Sequence, residues 1–160
     1  MERLGKKELP DDIWLPLIAE RLAAGHKVQH LQFRGISMMP MLRQGKDSVE
    51  LSSPPERLKK YDLPIYRREN GQYVMHRIVK VTEDHYICLG DNTVAFEPVW
   101  HKQIVGVVTA FYRGNKRVDV NSLGYKIYCR VWRLTRPWRK VLVKAKGVVR
   151  RMLQLLRKRN

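Results

Sequence analysis

No stretch of the sequence approaches the ~20 consecutive apolar residues that a membrane-spanning helix needs. The start does not read as a secretory leader either. Glu2, Glu8, Asp11, Asp12 and Glu20 interrupt every apolar run, and no small-residue cleavage site follows. The expectation is a cytoplasmic protein, soluble or peripheral on the inner face of the membrane. Cysteine is scarce: Cys88 and Cys129 stand far apart, without metal-type spacing. That excludes a disulfide scaffold and favours two free thiols in a reducing compartment. No grouping of His, Cys, Asp or Glu suggests a metal site, and neither metal nor cofactor is expected. His26, His30 and His101 are isolated and carry no catalytic expectation.

Acidic residues run out. None follows Asp119, whereas 13 of the 32 Lys and Arg residues lie from Lys126 onward. That end therefore carries +13 of the net +17, and the first 125 residues are close to ordinary in charge. Hydrophobic residues make up 44% of the 160, enough for a core and too many for a disordered chain. The length fits one domain with appendages.

Residues 11–24 read as a short helix, with Asp11 or Asp12 as cap, Ile13, Leu15, Leu17, Ile18 and Leu22 as its apolar side, and Gly25 as its stop. After Gly25 come short runs of strand character: 28–33, 48–51, 63–67, 73–81, 86–89, 104–112 and 118–120. Asn70-Gly71 between the third and fourth predicts a hairpin. From Pro137 on, Trp138, Val141, Leu142, Ala145, Val148, Val149, Met152, Leu153 and Leu156 recur at helical spacing among Lys and Arg. The reading is an N-terminal helical segment (1–27), a mostly β antiparallel domain (28–121) and a basic amphipathic helical tail (122–160).

Three short elements carry chemistry. Arg34-Gly35-Ile36-Ser37-Met38-Met39-Pro40 leaves a strand and enters a turn, which exposes Ser37 at the end of a rigid element. On its own this reads as an ordinary turn serine. His76-Arg77-Ile78-Val79 lies on the second strand of the predicted hairpin. A serine hydroxyl is nucleophilic at neutral pH only when a base takes its proton, and an imidazole suits that task. Gly90-Asp91-Asn92 follows after another strand and offers an acid to orient the imidazole, although the tripeptide would form a turn in any case.

The order and spacing of these elements, closed by Ile104-Val105-Gly106-Val107-Val108, resemble the signal peptidase I superfamily of serine peptidases, which also contains the self-cleaving SOS repressors. The resemblance runs from about Val28 to Val120. It implies the small antiparallel β domain of that superfamily, with Ser37 as nucleophile. Most bacterial members use a lysine base. The matching position here is His76, as in the endoplasmic-reticulum-type branch, and Lys80 is the lesser alternative. The orienting acid is Asp91 by the Gly-Asp-Asn motif, or Glu97, since the histidine branch has a second acid shortly after that motif. Gly35 stands where many members have a serine that helps bind the oxyanion, so main-chain N–H groups near Ser37 must serve. Gly35, Met38 and Pro40 would border the substrate and oxyanion, Met38 lining a shallow pocket for small side chains. The implied substrate is an extended leader or signal-like peptide with small residues before the cut.

Two further functions share this fold. One is a self-cleaving regulator, against which the 27 residues before the domain are short for a helix-turn-helix module. The other is a non-catalytic binding module. For the tail 126–160 the first reading is an anionic membrane surface, where each Lys or Arg contributes ~1 kcal/mol and the apolar face adds burial. Trp132 and Trp138 suit such an interface. Packing on the protein's own core is the second reading, and nucleic acid the third.

Overall fold

The computed structural model describes residues 11–138. A helix α1 (Asp11–Ala23) is followed by nine strands and a second helix: β1 (Val28–Leu31), β2 (Asp47–Ser52), β3 (Pro64–Arg67), β4 (Tyr73–Met75), β5 (Arg77–Val81), β6 (His85–Leu89), β7 (Glu97–Trp100), β8 (Ile104–Arg113), β9 (Lys116–Asp119) and α2 (Leu123–Leu134). The chain is mostly β, as expected, and every strand pairing is antiparallel.

α1 turns Leu15, Ile18 and Leu22 inward and leaves Leu17 exposed, so its apolar side is narrower than the sequence suggested. It ends where Gly25 takes φ 80°. His26 N–H then reaches back to the Arg21 carbonyl and Gly25 N–H to the Leu22 carbonyl, the paired bonds that close a helix on a left-handed residue.

The strands form two sheets. The larger runs β1-β2-β8-β3-β4, with β9 also paired to β8; the smaller runs β5-β6-β7. One core lies between α1, α2 and the large sheet around Leu22, Leu51, Leu63 and Val108. A second, around Tyr66, Ile78, Tyr86 and Val99, draws on strands of both sheets.

Two expectations need correction. The predicted single strand 73–81 is two strands, broken at His76: β4 pairs with β3 in the large sheet, and β5 pairs with β6 in the small one. The expected strands do not include the one at Glu97–Trp100, which carries Pro98. It is tolerated because β7 is the edge of its sheet. The second helix begins at Leu123, at the start of the expected helical tail, on a Ser122 cap whose hydroxyl accepts from Tyr125 N–H. Its inner side buries Tyr125 and Cys129 in the larger core. The periodic segment beyond Trp138 lies outside the described residues. Both cysteines are buried, free thiols.

Candidate active site

Between β1 and β2 the chain leaves the sheet, passes Gly35 at φ 102° and turns at Ser37. Two bonds from the Gly90-Asp91-Asn92 turn hold this loop. Asn92 N–H donates to the Ser37 carbonyl at 2.8 Å, and the Asn92 amide donates to the Ile36 carbonyl at 3.2 Å. The approach is close enough that a Cβ on Gly90 would stand 2.8 Å from the Ser37 carbonyl oxygen. Below the loop, Met38 and Met41 are anchored in the core. Gly35 N–H is taken by the Gln44 side chain at 3.2 Å. The N–H groups of Ser37 and Met38 have no acceptor among the described residues. Pro40 follows on the exposed surface of the turn, and Gly35, Ser37 and Met38 line a cleft of about 310 Å³.

His76 lines the same cleft. It sits in the one-residue gap between β4 and β5 and is buried, with 6% of its surface exposed. Its Nδ1 lies 3.1 Å from the Tyr66 hydroxyl, which itself lies 2.7 Å from Glu97 Oε2. Glu97 in turn receives Arg68 on both oxygens, with Nη2 to Oε2 at 2.8 Å. Burial pushes the Glu97 carboxyl up, but the Arg68 and Tyr66 hydrogen bonds outweigh it and hold its pKa below the usual carboxylate value. Ionised, Glu97 only accepts, so the single phenolic proton of Tyr66 goes to it. Burial and that hydrogen bond also raise the Tyr66 pKa, which keeps the proton in place.

The Tyr66 oxygen must then accept from His76, which puts the imidazole proton on Nδ1 and leaves the Nε2 lone pair free. Nε2 has no hydrogen-bond partner among the described residues, and the ring borders the cleft. Burial, partly offset by Glu97, lowers the His76 pKa below its ordinary 6.5. The ring is neutral at pH 7, the state a general base needs. Ser37 and His76 share the cleft without a hydrogen bond between them.

Asp91, the acid favoured by the motif, is engaged elsewhere. It takes Arg77 on both oxygens at 2.9 and 2.7 Å and the Tyr128 hydroxyl at 3.2 Å. Arg77 is 3% exposed and also donates to the Tyr125 hydroxyl at 2.6 Å. Trp132 Nε1 donates to the Asp91 carbonyl at 3.1 Å. The Gly-Asp-Asn element thus braces the serine loop against α2, and the carboxylate beside the imidazole is Glu97, with Nδ1 to Oε2 at 3.5 Å. Lys80 is exposed on β5 and is not part of the cleft wall. The break at His76 removes the alternation that would have put both residues on one face.

Tyr66 and Arg68 were not singled out in the sequence, although Tyr66 was within reach. The hairpin register pairs Tyr66 with Val74. His76, two residues on, is the diagonal neighbour that a long side chain can touch. Arg68 had no such signal, because its partner Glu97 comes from the other sheet. Comparison of the chain with protein-family models, with curated proteins and with solved structures gives no match.

Proposed function

We propose that this chain is a serine endopeptidase of the signal-peptidase type, with Ser37 as nucleophile, His76 as general base and Glu97 as orienting acid acting through Tyr66. One observation carries the reading. A serine on a braced turn and a neutral histidine with its Nε2 lone pair free border one cleft.

Ser37 Oγ attacks a peptide carbonyl while His76 Nε2 takes its proton. The C–O bond forms, and the negative charge on the carbonyl oxygen falls to the unpaired N–H groups of Ser37 and Met38. Collapse breaks the C–N bond, and His76 returns the proton to the leaving amine. Water then repeats the sequence on the acyl-enzyme. While His76 is cationic, the Tyr66 oxygen accepts from Nδ1–H and the charge of Glu97 lies 3.5 Å away. Asp91 has no part in these proton transfers and serves to position the serine loop.

β4 ends the large sheet, and Tyr73, Val74 and Met75 all line the cleft. An extended peptide adding to that edge would run past Ser37, which supports an extended peptide substrate; a leader-like sequence with small residues before the cut is what the resemblance implies. The test is labelling with a serine-directed fluorophosphonate, comparing wild type with Ser37→Ala and His76→Ala. Labelling lost in both variants supports the reading; equal labelling of Ser37→Ala overturns it. Fragments that appear on storage of wild type but not of Ser37→Ala would assign the same chemistry to self-cleavage.

A further inference from the structure

The helix α2 is apolar on two opposite sides. One side is accounted for: Tyr125 and Cys129 are buried in the core, and Tyr128 and Trp132 reach Asp91. On the other side Leu123, Ile127, Val131 and Leu134 are exposed by 71, 50, 52 and 75%. Steps of four, four and three residues bring these four within one narrow stripe along the helix. Trp138, after the helix end, is 74% exposed. Scattered single apolar residues at a surface need no explanation, but a continuous stripe on one helix does.

The charges beside the stripe indicate what covers it. Lys126, Arg130 and Arg133 are exposed, lie at steps of four and three along the adjoining side of α2, and have no ion-pair partner among the described residues. No acidic residue follows Asp119 in the sequence, and nine more Lys and Arg lie between residues 139 and 160. An apolar stripe bordered by cations alone is complementary to a surface that is apolar inside and negative at its boundary. A second copy of the chain would bring the same cations against themselves. Among the described residues no helix is long and apolar enough to cross a membrane, so the contact would be peripheral.

We propose that the outward side of α2 docks on an anionic lipid surface, with Leu123, Ile127, Val131 and Leu134 entering the boundary between headgroups and acyl chains and Lys126, Arg130 and Arg133 meeting lipid phosphates. The surface is independent of the peptidase chemistry. It does adjoin it, since the inner side of the same helix holds Asp91 and, through that turn, the Ser37 loop.

The test uses the full chain and vesicle co-sedimentation. Vesicles of phosphatidylcholine with about one-third phosphatidylglycerol should bind it, and pure phosphatidylcholine should not; binding should weaken steeply toward 0.5 M salt, as counter-ions screen the contact. Ile127→Glu with Val131→Glu should lower partitioning at least about tenfold, because it removes apolar area and adds charge of the wrong sign. Lys126→Gln with Arg130→Gln and Arg133→Gln should lower it by about fivefold or more for each cation lost. The substituted positions are exposed, so circular dichroism and thermal melting should match wild type. Wild-type binding by the Glu variant, equal binding to neutral vesicles, or a dimer in sedimentation that the Glu variant abolishes would each overturn the proposal.

Discussion

The Ser37 carbonyl oxygen occupies space that a side chain on Gly90 would need: a Cβ there would lie 2.8 Å from that oxygen and 2.9 Å from the Thr93 side chain. The serine loop and the Gly-Asp-Asn turn touch main chain to main chain, and Asn92 N–H bonds the same oxygen. Because the obstacle is backbone, it cannot be relieved by a rotamer change. Gly90→Ala should shift the loop, destabilise the fold by about 1–3 kcal/mol as overpacking does, and slow fluorophosphonate labelling more than it lowers the melting temperature would explain. Chemical denaturation and labelling rates on the same protein check this, and an unchanged labelling rate would separate the brace from the chemistry.

Tyr66 sets the tautomer, so Tyr66→Phe removes the acceptor of the His76 Nδ1 proton while filling the same volume. Labelling should slow by about tenfold to a hundredfold, the rate equivalent of one hydrogen bond of roughly 1.5–3 kcal/mol to a charged group. The fold should persist, since Tyr66 remains fully buried as Phe. A rate unchanged in Tyr66→Phe would mean that the imidazole is oriented in some other way.

The pH dependence follows from two directions. Burial lowers the His76 pKa, so the acid limb of the labelling rate should fall below pH 6.5. The negative charge of Glu97 raises that pKa, so Glu97→Gln should move the limb to still lower pH and weaken the base. Stability follows the same sign. Between 6.5 and the folded-state pKa, the unfolded chain binds the proton and the folded chain does not, so stability rises with pH across that window and is lost as pH falls through it. Denaturant midpoints from pH 7 to 5 should drop less in His76→Asn than in wild type.

Arg77 and Asp91 are nearly sealed from solvent, with side chains 4% and 3% exposed. Asp91→Asn leaves a buried guanidinium without its counter-charge and should cost about 3–5 kcal/mol. Arg77→Met with Asp91→Asn should cost less than the two single changes added, because the pair acts as one unit. Urea unfolding of the four proteins gives the coupling directly, and additive losses would deny it.

The turn at Ser37 and the hairpin were legible because local chemistry specifies them, through Gly35 and Pro40 in the one and the Asn-Gly connection in the other, whereas His76 stood out only through the order and spacing of the motifs. The two sheets were not legible. Nothing in Tyr73 to Val81 announces that the chain changes sheets at His76, since the residues on both sides have strand character. The role of Asp91 was hidden for a related reason. Its partners Arg77 and Tyr128 lie 14 and 37 residues away, so the contacts on which we propose a bracing role appear only once α2 packs. Glu97 became the stronger candidate only once Tyr66 appeared between it and the imidazole.

One-residue isolation has its own outcome for His76. Its main chain belongs to neither ladder, so the ring takes its place from side chains instead: Tyr66 of the large sheet at Nδ1 and Glu97 of the small sheet behind it. The imidazole is thereby a point where the two sheets are fastened to each other, and a change at either partner is felt by both.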